Sequence, residues 1–134
     1  LTHQEVVGVP ITYTVSGDGH FVYTKATGPV TERELLDYQE ALLGDTRIRP
    51  GCYELFDATG AHGQGLSDAV MGKVAEVDKQ HPAQLKGGKC AIVVRTDFEL
   101  LEKFEQRHDG PHEIMVFFNL DVARAWLGDK ARDA

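Results

Sequence analysis

The chemistry this sequence could perform rests on a few carboxylates, histidines, hydroxyls and thiols. Asp57 closes the apolar run Leu55-Phe56-Asp57, an awkward place for a carboxylate unless it is paired or caps a loop. Two roles are open to it: accepting hydrogen bonds from loop amides, or facing Arg95 or His62 across a crevice. Behind it, Gly60-Ala61-His62-Gly63-Gln64-Gly65 spaces its glycines as GxxGxG, whereas a dinucleotide fingerprint needs GxGxxG. No Lys-Ser/Thr pair follows, and the loop carries no Lys or Arg. That leaves a flexible connection, or an anion loop built from amides and the next helix N-terminus. Ser67 suits an N-cap, and phosphorylation there would be favoured by the helix dipole.

His108-Asp109-Gly110-Pro111-His112 has the look of a metal cluster, but its histidines straddle a Gly-Pro turn. They read as exposed loop residues, and no metal site is expected. HExxH, GxSxG and a paired-carboxylate arrangement are all missing. A Ser67/His62/Asp57 triad can be drawn, as it can for most domains of this size, and carries no weight. Cys52 and Cys90 lack CxxC spacing and read as small apolar residues of a reducing compartment. The protein is expected to be non-enzymatic, with no cofactor.

The elements that position these groups follow from periodicity. Ile11, Tyr13 and Val15 alternate with threonines, a half-buried strand. Ser16-Gly17-Asp18-Gly19 then turns the chain into a second strand over His20 to Ala26. Thr31-Glu32-Arg33-Glu34 is a capping box, and Leu35, Leu36, Leu42 and Leu43 form the inner face of its helix. A third strand is expected from Cys52 to Asp57. The helix after Ser67 buries Val70, Met71, Val74 and Val77. Cys90 to Val94 is apolar throughout, a strand buried on both faces. Thr96-Asp97-Phe98-Glu99 reads as a second capping box, whose helix turns Phe98, Leu101 and Phe104 inward. A fifth strand spans Glu113 to Phe118, and a last helix from Asn119 to Gly128 buries Val122 and Trp126.

The order β-β-α-β-α-β-α-β-α demands a mostly parallel five-stranded sheet covered by helices. Ligands of open α/β sheets sit beyond the carboxyl ends of the strands. That edge receives Gly28, Asp57, Thr59, His62, Ser67, Arg95, Thr96, Asn119 and Asp121, while His81, His108 and His112 fall on the opposite edge. The candidate binding residues are therefore Asp57, Thr59, His62, Ser67, Arg95 and Thr96.

The 134 residues make one domain, with a core over about 10–128. Lys and Arg number 14 against 21 Asp and Glu, a formal net charge of −7. That balance argues against non-specific nucleic-acid binding and anionic lipid surfaces. Much of the acid is architectural: Glu32, Glu34, Asp68, Asp97, Glu99 and Asp121 fall in helix first turns. The longest apolar run, Ile114 to Phe118, is far short of the ~20 residues a membrane span needs. No secretory or lipidation signal is visible, so a cytoplasmic location without integral membrane contact is expected. The chain opens at Leu1 without an initiator Met, which leaves room for a leader upstream.

The chain resembles the SpoIIAA-like proteins, small STAS-type domains related to anti-sigma-factor antagonists and to CRAL-TRIO lipid-binding domains. The resemblance rests on Gly28-Pro29-Val30-Thr31, Leu55-Phe56-Asp57 and Ala91-Ile92-Val93-Val94 with Arg95-Thr96-Asp97 after it. Val116-Phe117 and Ala125-Trp126-Leu127 complete it. It implies a βα superhelical fold and a regulatory or binding role, exercised on a partner protein or small ligand at the crevice. Two alternatives go with it. One is a carrier of a small apolar molecule or lipid, drawing on Met71, Phe98, Phe104, Phe118 and Trp126. The other is a phosphorylation-controlled antagonist-like switch. The antagonists phosphorylate a Ser in a D-S-S/T-G motif; Gly65-Leu66-Ser67-Asp68 stands there, so only Ser67 carries over. Pairing into a homodimer through a sheet edge or helix face is a further expectation.

Overall fold

The hairpin that opens the fold is set by its turn: Ser16 Oγ and the Ser16 backbone hold Phe21 and Gly19 in place. The computed structural model describes residues 10–63 and 66–128. Strand β1 (Ile11–Val15) pairs antiparallel with β2 (Phe21–Pro29). Helix α1 (Glu32–Leu43) leads to β3 (Tyr53–His62), then α2 (Asp68–Lys79) and the short α3 (Pro82–Leu85). Strand β4 (Lys89–Val94), α4 (Phe98–Arg107), β5 (Glu113–Phe117) and α5 (Leu120–Leu127) complete the order. The sheet runs β1-β2-β3-β4-β5, with every pairing after the hairpin parallel. This is the expected mostly parallel five-stranded α/β architecture, with one short helix, α3, added.

Helix starts follow their caps. Thr31 and Glu34 close a reciprocal capping box on α1, and Ser67 Oγ accepts the Val70 N–H at 3.3 Å. Asn119 Oδ1 does the same for α5. The expected box at Thr96 does not form. Asp97 is the N-cap of α4, in left-handed backbone at φ +62, and caps nothing with its side chain. Its carboxylate instead accepts the Gly63 N–H at 2.8 Å.

Alternation along the strands separates two cores. Leu55, Ala91, Val93 and Phe117 point to one face, where Ala123 and Leu127 of α5 cover them with Phe21. Phe56, Ala58, Cys90, Ile92, Val94, Ile114 and Val116 point to the other, under α1 and α4. Sequential strand order carries the connecting helices along that second face, so parallel neighbours never diverge to opposite faces. The sheet therefore has no switch-point crevice of the kind that holds ligands in doubly wound folds.

Three expectations are corrected. Strand β3 does not stop at Asp57. The chain from Gly60 to His62 continues it, pairing with Thr27, Gly28 and Pro29 past an irregularity between Lys25 and Thr27. Gln64 and Gly65 of the glycine-rich segment lie outside the described residues. In α5 the inner positions are Ala123 and Leu127; Val122 is 55% exposed, while Trp126 is half-buried against the core. In α1 Leu35, Leu42 and Leu43 face the interior as expected, but Tyr38 and the buried Gln39 stand there in place of Leu36.

Candidate functional site

The space between the sheet and its helical layer is not filled. A cavity of about 170 Å³ lies there, bounded by α1, β3, α2, β4 and α4. Its walls are mostly apolar: Leu35 and Leu42 from α1, Met71 and Val74 from α2, Phe56 and Ile92 from the sheet. Ion pairs between exposed groups tie the roof together, Lys73–Glu32 at 2.5 Å and Arg107–Asp68 at 3.4 Å. Exposed pairs of this sort add little stability.

Two polar groups interrupt the apolar wall. The first centres on Glu54, which β3 turns toward the cavity between Tyr53 and Leu55 of the other face. Thr24 Oγ1 donates to Glu54 Oε2 at 2.6 Å, the Tyr38 hydroxyl donates to the same oxygen, and Cys90 Sγ approaches Oε1 at 3.5 Å. Among the described residues no Lys or Arg pairs with Glu54. Burial pushes the Glu54 carboxyl up from its ordinary pKa, and hydrogen bonds from Thr24, Tyr38 and Cys90 only partly offset it. Burial and then the Glu54 charge drive the Tyr38 hydroxyl and the Cys90 thiol well up. The result is a buried acid with a hydroxyl and a thiol, all held by one another.

The second group lies at the amino edge of the sheet. Asp78 ends the stripe Met71-Val74-Asp78 on α2, and Gln39 Nε2 donates to its Oδ1 and to the Val74 carbonyl, each at 2.9 Å. His108 Nε2 lies 3.3 Å from Asp78 Oδ2. His112, just before β5, stacks edge-on to His108 with centroids 5.1 Å apart. Asp78 and His112 both border the cavity. Burial lowers the His112 pKa, with opposing influences from Asp78 and His108. The expectation of exposed loop histidines is thus corrected. The His108 side chain is 3% exposed because Phe104 and Asp78 pack over it.

The residues singled out from sequence are scattered about this cavity rather than gathered in it. Asp57 sits on the opposite face of the sheet, 6% exposed. It accepts hydrogen bonds from the Tyr23 hydroxyl at 3.1 Å and from the Thr59 hydroxyl and N–H at 2.7 and 3.0 Å. Burial pulls its pKa up, but those bonds outweigh it and the net shift is downward. Asp57 and Thr59 are therefore brought together, as a local pair inside β3 opposite the irregularity between Lys25 and Thr27. His62 and Thr96 border the cavity's mouth at the carboxyl edge, where Thr96 Oγ1 donates to the Ala61 carbonyl at 3.3 Å. Ser67 is exposed and spends its oxygen on the α2 cap; Arg95 is exposed beyond β4. With Asp57 behind the sheet, the Ser67/His62/Asp57 triad does not assemble. Cys90 is a buried free thiol.

The residues missed from sequence carried a signal. Glu54 interrupts an apolar strand as awkwardly as Asp57 does, and alternation puts it on Phe56's face. Tyr38 and Gln39 follow Leu35 at three and four positions, and Asp78 follows Val74 at four, so each lies on an apolar helical face.

A hairpin leading into sequentially ordered parallel strands, with connecting helices on one face and a last helix on the other, is the SpoIIAA-like α/β fold. Among solved structures the chain is similar to an uncharacterized protein of the DUF3478 family, with a SpoIIAA-like fold, from Shewanella loihica PV-4. Identity is 22%, the match covers 87% of this chain and 91% of that one, and the TM-score is 0.53. No family model matches the sequence. No curated protein matches it significantly. The likeness establishes the fold, and the function has to be argued from the cavity. Among the described residues no helix is long and apolar enough to cross a membrane.

Proposed function

We propose that the protein is a non-catalytic binding domain for a small, mainly apolar molecule that carries one polar group. The observation that carries this reading is the apolar cavity of about 170 Å³ with the Glu54–Tyr38–Thr24 cluster set into its wall. Its size is close to that of an engineered apolar cavity of ~150 Å³ known to hold benzene. The occupant it suits is one ring or a short branched chain, with a hydroxyl or amine to meet Glu54. A whole lipid would need the helices to part, so the small-ligand reading is preferred to lipid carriage. Binding at the cavity, rather than at a crevice beyond the strand ends, also accounts for the scatter of the polar residues at that edge.

Native mass spectrometry of gently purified protein, followed by thermal melts with phenol, indole and aniline, tests the reading. A retained small molecule, or a raised melting temperature with at least one of the three, is expected. A bare mass together with unmoved melts would refute it.

A further inference from the structure

We infer that Asp78, His108 and His112 form a binding site for a divalent transition metal of the zinc class, at the amino edge of the sheet. One ligand atom from each residue lies within 4.8 Å of the other two. Ligands about 2.0–2.1 Å from a tetrahedral ion stand about 3.4 Å apart. His108 Nε2 and Asp78 Oδ2 already meet that spacing at 3.3 Å. Seating the third ligand asks for a contraction of at most about 1.4 Å, within reach of side-chain rotation. Two imidazoles and a carboxylate are the donor set such ions take, leaving a fourth position for water or a ligand.

Three independent features point the same way. His112 Nδ1 is shut off from solvent and has no hydrogen-bond partner, a cost that a bound cation removes. Asp78 is 7% exposed and the His108 side chain 3%, so these two donors are already desolvated and fixed in place. Gln39 holds Asp78 Oδ1 from behind, which aims Oδ2 at the histidines. The elements bringing these groups together are distant in sequence: α1, the end of α2, the end of α4 and the approach to β5. The fourth position falls on the cavity side, since Asp78 and His112 border the cavity. A metal on His108 Nε2 moves that ring's proton to Nδ1 and displaces the long 3.3 Å contact from the Gly110 N–H, so the tautomer itself reports binding.

The test uses the full chain, stripped with a chelator and titrated with zinc chloride against a chromophoric competitor. One ion per chain is expected, and proton–nitrogen spectra should show the imidazole signals of His108 and His112 moving while those of His20, His62 and His81 stay. His112→Gln should lower affinity at least tenfold. Gln39→Leu should lower it roughly ten- to a hundredfold by releasing Asp78. His20→Gln, which lines neither the cavity nor the cluster, should leave it unchanged. Should His112→Gln fail to fold, the imidazole shifts of the unaltered protein decide alone. Absence of binding in the stripped protein, shifts spread over the other histidines, or wild-type affinity in a folded His112→Gln protein would overturn the assignment. Each of these readouts is independent of whether an organic ligand occupies the cavity.

Discussion

Filling the cavity should separate its two consequences, lost packing and gained binding. Val74, on the α2 wall, is half-buried and borders the space, and its carbonyl rather than its side chain holds Gln39. An enclosed core cavity costs about 24 cal/mol per Å³; this space of about 170 Å³ is partly open to solvent, so about 4 kcal/mol is the upper bound on its forgone packing. A Val74→Phe ring occupying about a third of it would recover at most about 1.4 kcal/mol. For 134 residues at about 2.1 cal/mol/K each, that raises the melting temperature by at most about 5 °C. The same ring removes room for a ligand, so affinity for whichever compound stabilises the wild type should fall at least tenfold. Calorimetric melts with and without that compound, on both proteins, give both numbers. A Val74→Phe protein destabilised by about 1–3 kcal/mol, the signature of overpacking, would show that the space is not open as described. Undiminished ligand affinity in a stabilised variant would place binding elsewhere.

Two further outcomes follow from the buried carboxyls. Glu54 has a raised pKa when folded, so its stabilising protonation is fully present below the ordinary value of 4.5 and is lost as pH rises through the folded pKa. His112 has a lowered pKa and works in the opposite sense, the unfolded chain taking up its proton first as pH falls below 6.5. The difference between wild type and Glu54→Gln isolates the first: in melts from pH 4 to 8, wild type should lose stability relative to the variant as pH rises, and a flat difference would contradict the burial argument. Asp57→Ala should cost about 1–3 kcal/mol in denaturant melts by stranding the Tyr23 and Thr59 donors. Because Asp57 faces away from the cavity, ligand affinity should be unchanged.

Elements whose signal is local were legible in the sequence. The Thr31–Glu34 box, the Ser67 cap and the apolar β4 each follow from a few adjacent residues, and so does the alternation of strand and helix that gives the parallel sheet. Features that depend on a distant neighbour were not legible. Gly60-Ala61-His62 has loop composition, yet becomes strand because β2 extends far enough to pair with it. Asp97 looked like part of a cap, but the Gly63 N–H supplies its partner from 34 positions away. The Asp78–His108–His112 group was hidden for the same reason: a Gly-Pro turn between two histidines says nothing of a third donor on another helix.

The strand order has a consequence for how the molecule is made. Every strand pairs with its neighbour in sequence, so the sheet can grow in one direction as chain is added, without holding a place open for a later strand. Growth by short-range closure keeps the entropic cost of each step low. One face escapes this economy. Phe21, Leu55, Ala91 and Val93 stay wet until the eight residues of α5, which follow all the strands, fold back over them. Helix α5 therefore acts as the closing step of assembly, and a chain interrupted before it would present an apolar sheet face to its neighbours.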